Sequence, residues 1–365
     1  MQPVLPDYEG ACLTNVVPAI LGRDTVAPAW LPEGVVGARQ VVLLVIDGLG
    51  WEQLQARAAL APTLTGMTGR PITSVLPTTT ATALASLVSG RPPAVHGLVG
   101  YRVQVAPGEV MNVLRWTTSA GDARHRVVPG EFSLATSFGG LAPPVVTRAE
   151  FRDSGFTGAH LMPARLHGYR VTSTLVVEVR RLLAAGEPFV YAYYDGTDRV
   201  AHSFGLGEHF DAELAAVDRL VGDVLAALPP DAALVVTSDH GQVEVGDQVV
   251  VLDDHLMADV TLLSGEGRFR WLHARPGALD RLAERARSLY EGKAWVRTRV
   301  EAEAEDWFGG PLPAAVAVRM GDVVLAPFEP IAFLDPADTG EVTLVSRHGS
   351  MTPAEMLVPL LVGRT

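Results

Sequence analysis

Six side chains of the sequence have the chemistry of metal ligands: Asp47, Asp198, His202, Asp239, His240 and His348. Asp198 and His202 are four residues apart, which places a carboxylate and an imidazole on one face of a helical turn, where both can bind one divalent cation. Alone, each motif also has a structural interpretation, since Asp47-Gly48 is typical of a turn and Asp239 could cap one. Together, the six residues supply about three ligands for each of two ions. Mixed histidine and carboxylate ligands suit Zn²⁺ best, with Mn²⁺ or Fe as alternatives.

A run of threonines precedes a segment with high helix propensity. Thr78, Thr79 and Thr80 follow Pro77, and residues 81–88 are rich in alanine and leucine, which favour helices. A threonine at the start of this helix would lie where free backbone N–H groups and the helix dipole stabilise an anion. Thr79 or Thr80 could simply cap the helix. Beside two metal ions, such a hydroxyl could instead be a nucleophile, because metal coordination lowers the pKa of the hydroxyl.

The elements that must position these residues begin with three apolar runs. Buried strands are predicted at Val41 to Ile46, Pro188 to Tyr194 and Ala233 to Thr237. The first run ends at Asp47, the second leads into Asp195 and Asp198, and the third leads into Asp239 and His240. Because open α/β sheets place ligand-binding groups at the carboxyl ends of their strands, we expect these side chains at one edge of a sheet.

A helix is predicted between the second and third of these strands, from about Glu208 to Leu228. Its apolar residues recur at steps of three and four, Pro229-Pro230 ends it, and its acidic residues, Asp218 among them, fall mostly on the opposite face. The order strand, helix, strand implies a right-handed parallel crossover. The predicted fold class is therefore α/β.

Two ranges have a different pattern and are predicted to be inserts in a single catalytic domain over residues 1–365. Residues 100–170 contain short alternating runs broken by glycine and proline, and residues 252–335 form an irregular block with a charged helix near Leu279 to Glu291. Arg268 and Arg275 of the second range could reach an anion, but they are interpreted as solvated surface residues. If the threonine acts as a nucleophile, the pocket for the leaving group of its substrate would be built from these two ranges.

Composition excludes several classes of function. The formal net charge of −12 argues against a broad basic surface, so no nucleic-acid polymer is expected as a partner. Cys12 is the only cysteine of the sequence, and neither a secretory signal nor an apolar run of membrane-spanning length is present. We therefore expect a cytoplasmic location and no membrane partner. The sequence leaves the oligomeric state open.

In this order the motifs resemble the alkaline phosphatase superfamily, and more closely its type I phosphodiesterase/nucleotide pyrophosphatase family. The matching segments are VLLVIDGLG, PTTTATALASLVSGRPPAVHGLVGY, DGTDRVAHSFG and VVTSDHG, and the resemblance runs over about residues 40–250 and 345–361. It implies an alkaline phosphatase-like fold, with a central, mostly parallel sheet, helices on both faces and inserted cap segments. The Cys-x-Pro-x-Arg pattern of the sulfatase branch is absent from the sequence, which argues against sulfate esters as the main substrate.

The resemblance also implies roles for individual residues. Asp198, His202 and His348 would hold one zinc ion, and Asp47, Asp239 and His240 would hold the other, which also binds the nucleophile. The Ser89 to Gly97 stretch places Thr80 at the position of the nucleophile, with Thr79 one residue away. Tyr101 stands where the phosphodiesterase branch has an asparagine that donates to a phosphoryl oxygen, and the adjacent Arg102 could substitute as a charged donor.

The resulting hypothesis is a two-metal phosphate ester hydrolase with a covalent threonyl-phosphate intermediate and a small phosphate-ester or nucleotide-like substrate. A phosphodiesterase or nucleotide pyrophosphatase is preferred. One alternative is a phosphomonoesterase or phosphonate hydrolase on the same site, which would need a further charged group such as Arg102. Another is a non-catalytic binding protein on a disused hydrolase fold. The presence of all six ligand positions and the threonine argues against disuse.

Overall fold

The computed structural model describes residues 2–22, 27–340 and 343–364. Its strands, in chain order, are β1 (Gln40–Ile46), β2 (Thr68–Thr73), β3 (Arg102–Ala106), β4 (Glu109–Asn112), β5 (Thr117–Thr118), β6 (Gly121–Asp122), β7 (Pro144–Arg148), β8 (Arg165–Tyr169), β9 (Phe189–Tyr194), β10 (Ala232–Thr237), β11 (Val243–Glu244), β12 (Val249–Val250), β13 (Val260–Glu266), β14 (Phe269–Ala274), β15 (Ala294–Thr298), β16 (Val323–Pro327), β17 (Ala332–Phe333), β18 (Ser346–Arg347) and β19 (Leu357–Arg364).

The α-helices, in chain order, are α1 (Val16–Leu21), α2 (Trp51–Ala56), α3 (Pro62–Gly66), α4 (Thr80–Ser89), α5 (Pro93–His96), α6 (Pro129–Phe132), α7 (Gly155–His160), α8 (Thr172–Ala184), α9 (Gly196–Phe204), α10 (Glu208–Ala226), α11 (Asp254–Met257), α12 (Leu279–Leu289), α13 (Arg299–Ala304), α14 (Ala314–Ala317) and α15 (Pro353–Met356). Among the described residues, no helix combines the length and the hydrophobicity needed to cross a bilayer.

The central sheet has seven strands in the order β2-β19-β10-β1-β9-β7-β8. The strands from β10 through β1, β9 and β7 to β8 are parallel, and β19 runs antiparallel to both of its neighbours. The three strands predicted from apolar runs, β1, β9 and β10, are adjacent at the centre. The prediction of a mostly parallel sheet is confirmed.

Helices cover both faces of this sheet. Alternate residues of β1 belong to two hydrophobic clusters, one containing Val41, Leu43 and Val45, and the other containing Val42, Leu44 and Ile46. The first cluster includes apolar residues of α1 and α4, and the second includes those of α8 and α10. Because every residue of β1 is buried, the strand needs a continuous apolar sequence rather than an alternating one.

The helix predicted between the second and third apolar strands is confirmed as α10. Its interpretation needs one correction, since Asp218 is buried and does not face solvent. The Asp218 carboxylate accepts hydrogen bonds from the backbone N–H groups of Thr63 and Leu64, at 3.1 and 2.8 Å. Asp218 therefore satisfies free N–H groups at the start of α3.

The predicted insert at residues 100–170 is wrong in part. Strands β7 and β8 lie in this range, yet they form one side of the central sheet. Only the earlier part of the range, which contains β3 to β6, forms a separate four-stranded sheet.

The range 252–335 is regular rather than irregular. It contains a four-stranded antiparallel sheet in the order β13-β14-β16-β15, and α12 packs on this sheet in a third hydrophobic cluster. Arg275 is exposed, as predicted. The interpretation of Arg268 as a surface residue is wrong, because Arg268 is fully buried in an ion pair with Glu355.

Candidate active site

The six predicted metal ligands lie together at the carboxyl edge of the central sheet. Asp47 follows β1, Asp239 follows β10, and Asp198 lies in the first turn of α9, which begins directly after β9 and Asp195. Of the histidines, His202 lies in the last turn of α9, His240 directly follows Asp239, and His348 lies in the loop between β18 and α15. Parallel alignment of three neighbouring strands thus brings distant parts of the chain to one place.

One group of ligands is centred on His240. Its Nε2 atom lies 3.4 Å from Asp47 Oδ1 and 3.5 Å from Asp239 Oδ2. Ligand atoms of these three residues all lie within 4.8 Å of one another. The hydroxyl of Thr80 is 3.1 Å from the same Nε2 atom, so the predicted nucleophile adjoins this group.

A second group surrounds Asp198. Its Oδ1 atom lies 3.2 Å from His202 Nε2 and 3.8 Å from His348 Nε2. The imidazole of His240 stacks on that of His348, with ring centroids 3.5 Å apart, so His240 also lies within 4.8 Å of the Asp198 and His348 ligand atoms. The two groups are therefore contiguous, as a site with two neighbouring ions requires.

Backbone carbonyls orient all three histidines in the same way. The Nδ1 atoms of His202, His240 and His348 lie 2.7, 3.1 and 2.7 Å from the carbonyl oxygens of Ser346, Gly241 and Thr78. A carbonyl only accepts, so each Nδ1 carries the proton and each Nε2 presents its lone pair to the carboxylates. Metal-binding histidines have this arrangement, in which a hydrogen bond at one nitrogen fixes the other for the ion.

The electrostatics of the site also fit bound cations. Asp47 Oδ1 and Asp239 Oδ2 are buried and make no hydrogen bond within the described residues. Burial and the neighbouring charges of Asp239 and Asp198 raise the pKa of Asp47 well above its ordinary value, and burial likewise raises the pKa of Asp239. Burial and the neighbouring His240 and His202 lower the pKa of His348 well below its ordinary value. Divalent ions at this position would stabilise the carboxylates and bind the neutral imidazoles.

Thr80 is the first residue of α4, and Thr79 occupies the N-cap position with an extended backbone. The Thr79 side chain makes no capping hydrogen bond. Both threonines line a cavity at the site, but it is the Thr80 hydroxyl that lies against His240. The geometry therefore favours Thr80 over Thr79 as the candidate nucleophile, beside the free N–H groups of a helix N-terminus.

Thr78 is a further residue of the site whose role was not predicted, although it lies within the threonine run. Its backbone N–H donates to the carbonyl of Gly349 at 3.1 Å, and its hydroxyl accepts from the Gly349 N–H at 3.0 Å and donates to the Ser350 carbonyl at 2.8 Å. The Thr78 carbonyl also contacts His348 Nδ1. Thr78 therefore fixes the loop between β18 and α15, which carries His348, against the segment that carries Thr80. The position of Thr78 within the threonine run was the sequence signal that could have indicated this role.

Two further side chains that the sequence analysis missed contact the carboxylate ligands. The Tyr193 hydroxyl donates to Asp47 Oδ2, and the side-chain amide of Gln242 donates to Asp198 Oδ1 at 2.6 Å. Tyr193 is the next-to-last residue of a predicted strand, and Gln242 is two residues beyond His240, so closeness to a strand end or to a ligand was their only sequence signal.

The predicted substrate-binding pair is only partly brought to the site. Tyr101 lines a cavity with Thr80, Asp198 and His348, and its hydroxyl accepts a hydrogen bond from Asn112 at 2.6 Å. Arg102 instead forms an ion pair with Asp335 and lines a different cavity. Its charge is thus engaged elsewhere, and Arg102 is not placed to contact a phosphate at the metal ligands.

Two cavities meet at the site and share Thr80, Leu114, Arg115 and Asp198. The larger, of about 570 Å³, is also lined by Asp47 and by a wall of largely apolar side chains that includes Leu84, Phe151, Phe156, Leu161, Tyr191 and Tyr193. The smaller, of about 250 Å³, is lined by Tyr101, His202 and His348. Arg115 was not recognised in the sequence, where nothing distinguishes it from the other arginines.

The solved structures most similar in fold include phosphoester and phosphonate hydrolases. Human ectonucleotide pyrophosphatase/phosphodiesterase 5 superposes with a TM-score of 0.67 at 17% identity, with 89% of this chain and 88% of that chain covered. The murine protein gives a TM-score of 0.66 at 18% identity, covering 89% and 88%. Phosphonoacetate hydrolase from Sinorhizobium meliloti 1021, in complex with phosphonoformate, gives 0.66 at 19% identity, covering 90% and 91%. At these identities the likeness establishes the alkaline phosphatase-like fold.

A comparison with curated protein sequences found no match. In contrast, the family model described as "Type I phosphodiesterase / nucleotide pyrophosphatase" matches residues 41–351, which is most of the chain and includes the three strand ends, the threonine run and His348. With the fold and the site geometry, this match identifies the chain as a phosphoester hydrolase that belongs to the type I phosphodiesterase/nucleotide pyrophosphatase family.

Proposed function

We propose that the chain is a phosphodiesterase or nucleotide pyrophosphatase that cleaves small phosphate diesters through a covalent intermediate on Thr80. The observation that carries this proposal is the meeting of two cavities, of about 570 and 250 Å³, at Thr80 and Asp198. A diester needs space for a substituent on each side of the phosphorus atom, whereas a monoester needs space on one side. The two cavities supply this space.

The direction of attack assigns a substituent to each cavity. In an in-line displacement the nucleophile and the leaving group lie on opposite sides of phosphorus. Thr80 lies beside Asp47, Asp239 and His240, so the leaving group would lie beside His202 and His348, in the smaller cavity. The retained substituent would occupy the larger cavity, whose aromatic wall suits a nucleobase or an aryl group.

The chain's own residues then account for two chemical steps. In the first, the Thr80 hydroxyl releases its proton to solvent and Oγ1 forms a bond to phosphorus, while the bond from phosphorus to the leaving oxygen breaks and the leaving group departs as its oxyanion. The resulting threonyl phosphodiester lies at the N-terminus of α4, where backbone N–H groups stabilise its charge. In the second step, water attacks phosphorus, the bond to Thr80 breaks, and the threonine hydroxyl is restored. We propose Tyr101 as a donor to a phosphoryl oxygen.

The site residues fit two divalent cations, in agreement with the metal dependence expected of the family. Asp198, His202 and His348 would hold one ion, and Asp47, Asp239 and His240 the other, next to Thr80. When bound, such ions supply Lewis-acid stabilisation of the attacking and leaving oxygens. We propose Zn²⁺ at both positions, with Mn²⁺ or Fe as the alternatives.

Ligands of the similar structures support parts of this proposal. One murine ectonucleotide pyrophosphatase/phosphodiesterase 5 structure is an inactive threonine-to-alanine variant in complex with AMP. It supports an essential threonine and a nucleotide-like substrate. The bacterial phosphonoacetate hydrolase has been solved with phosphonoacetate. That structure keeps a phosphonate hydrolase as the second candidate, which the free charge of Arg115 favours.

The test of substrate class is a comparison of two nitrophenyl esters. Purified protein with added Zn²⁺ or Mn²⁺ should hydrolyse bis-(4-nitrophenyl) phosphate with a higher kcat/KM than 4-nitrophenyl phosphate. A clear preference for the monoester would overturn the diesterase proposal. If the metal-loaded protein hydrolyses neither ester, the result would favour a non-catalytic binding protein.

A further inference from the structure

Arg115 is a cation at the junction of the two substrate cavities. It lines the larger cavity with Asp47 and Thr80, and the smaller cavity with Tyr101 and His348. Its side chain is exposed, and within residues 2–22, 27–340 and 343–364 its guanidinium forms no hydrogen bond or ion pair. Other arginines near the site differ, since Arg102 is paired with Asp335 and Arg148 lies 3.3 Å from Asp195.

The turn that carries Arg115 is fixed on one side by Asn112. The Asn112 side-chain oxygen accepts the Arg115 backbone N–H at 3.0 Å, while its amide donates to the Tyr101 hydroxyl at 2.6 Å. The Val113 N–H also donates to the Tyr101 carbonyl at 2.8 Å. One side chain therefore holds both Tyr101 and Arg115 in their positions at the smaller cavity.

The turn is fixed on the other side by Trp116, whose backbone has a left-handed φ of 55°. A bulky residue adopts this conformation only where packing enforces it. The Trp116 ring is fully buried, donates to the Val127 carbonyl at 2.7 Å, and packs edge to face on Phe132 with centroids 5.4 Å apart. A Cβ atom at Gly155 would lie 2.2 Å from the Trp116 ring, so glycine is required there. Burial of Trp116 thus presents the preceding residue, Arg115, to the cavities.

A guanidinium held in this way is suited to one class of ligand. Its planar set of donors matches the two oxygens of a carboxylate or phosphate, and hydrogen bonds between such charged groups are stronger than neutral ones. The larger cavity has a mostly apolar wall, whereas the smaller one adjoins the histidines where a leaving group would lie. The geometry therefore points to an anion on the leaving-group side.

We propose that Arg115 is a specificity-determining residue that binds a second anionic group, a carboxylate or a phosphate, on the leaving group of the substrate. This inference rests on the diesterase proposal and narrows its substrate class to esters whose leaving group is itself negatively charged. It also replaces Arg102, whose charge is engaged by Asp335, as the second charged group of the site.

The experiment uses three thymidine 5′-phosphate esters that share the retained group and differ in the leaving group. The leaving groups are 4-nitrophenol, which lacks a second anion, 2-carboxyphenol, which has a carboxylate, and diphosphate, supplied by thymidine 5′-triphosphate. In Arg115→Gln, kcat/KM should fall about 10- to 100-fold for one or both charged leaving groups. The nitrophenyl ester should change less than about threefold, and Arg115→Lys should retain part of the preference. Loss with only one charged ester identifies the anion as a carboxylate or a phosphate.

The matched control is Arg126→Gln. Arg126 is an exposed arginine of the same region that pairs with Glu109 at 2.7 Å and lines neither cavity. The Arg126→Gln substitution should leave kcat/KM for all three esters unchanged. A second readout is calorimetric binding of thymidine 5′-triphosphate to the metal-loaded Thr80→Ala variant, which should weaken when Arg115→Gln is added.

The outcomes separate this inference from the proposed function. If the unmodified protein hydrolyses none of the three esters, the diesterase proposal fails. If it hydrolyses them and Arg115→Gln lowers all three rates equally, Arg115 contacts the phosphoryl group itself and the inference is wrong. Unchanged rates with all three esters would overturn the inference as well.

Discussion

The Gln242 amide donates to Asp198 Oδ1, the same carboxylate oxygen that faces His202 Nε2 and His348 Nε2. An oxygen with two lone pairs can bind an ion with one and accept this N–H with the other. Gln242 is buried, and its own side-chain oxygen has no hydrogen-bond partner within the described residues. The side-chain hydrogen bond of Gln242 is therefore made to the metal-ligand candidate Asp198, and we interpret Gln242 as a residue that positions this carboxylate.

We predict that Gln242→Leu weakens binding of one metal ion by about 10-fold or more, because loss of such an outer contact frees the ligand carboxylate. Zinc titration against a chromophoric chelator should show one weakened and one unchanged site. Gln55→Leu, on the exposed face of α2, is the control. Two sites of unchanged affinity would show that Gln242 does not position Asp198.

Most residues of the site could be predicted from residue types and their spacing in the sequence, but the contacts between side chains could not. The six ligand candidates and Thr80 stand out because aspartate and histidine follow apolar runs or share a helical turn. Arg115 and Arg102 are indistinguishable by type and spacing. Only the turn between Asn112 and Trp116, together with the carboxylate of Asp335, decides which of them remains available at the cavities.

At the scale of elements, one buried ion pair joins the four-stranded sheet of residues 252–335 to the loop between β18 and α15, which carries His348. The Arg268 guanidinium donates to Glu355 Oε1 at 2.7 Å and Oε2 at 2.9 Å, and both side chains are fully buried. Glu355 also accepts from the Ser350 N–H and the Thr352 hydroxyl, at 2.9 and 2.6 Å. This pair ties the loop that follows His348 to the start of β14.

We predict that Arg268→Met lowers the free energy of unfolding by about 3–5 kcal/mol, because it leaves the Glu355 carboxylate buried without its partner. The double variant Arg268→Met/Glu355→Gln should recover much of this loss, because the uncompensated charge is removed. Urea unfolding of the metal-loaded protein measures both values. If the double variant is as unstable as the single one, the buried charge is not the cause.

Elements with continuous apolar sequences could be predicted, and elements defined by distant partners could not. Strands β1, β9 and β10 are buried on both faces, so each has a continuous apolar sequence that can be recognised without knowing its partners. Strand β8 lies at the edge of the sheet and is largely half-buried or exposed, which leaves no apolar run to recognise. The range 252–335 was predicted to be irregular because its sheet depends on distant pairing: β14 pairs with β16, about 50 residues later in the chain.

At the scale of the whole molecule, the helix that carries Thr80 is joined to the rest of the chain by a buried histidine. His96 is fully buried, accepts the Leu98 N–H at Nδ1, and lies 2.8 Å from the Ser86 hydroxyl of α4 at Nε2. Because Nδ1 accepts, the proton of the neutral ring is on Nε2 and is donated to Ser86. Burial and the charge of Arg319 lower the pKa of His96 to about 3.

This pKa makes stability dependent on pH in a defined direction. Below the unfolded value of about 6.5, the unfolded chain binds a proton that folded His96 does not. The contribution is therefore fully present above about pH 6.5 and is lost as the pH falls toward about 3, at about 1.4 kcal/mol per pH unit. Urea unfolding at pH 6 and 5 should show a shallower loss for His96→Gln than for the unmodified protein. Exposed His125→Gln should leave the slope unchanged, and equal slopes in all three proteins would contradict this assignment.

The central claim is that Thr80 forms a covalent bond to phosphorus. Metal-loaded protein mixed with excess bis-(4-nitrophenyl) phosphate and quenched in acid within one turnover should contain a phosphorylated peptide that retains one nitrophenyl group. Fragmentation by mass spectrometry should place the group on Thr80. Thr80→Ala should lose the adduct and at least about 10³-fold in kcat while both metal ions stay bound. An adduct on Thr79, or turnover by Thr80→Ala at a rate close to that of the unmodified protein, would contradict the account.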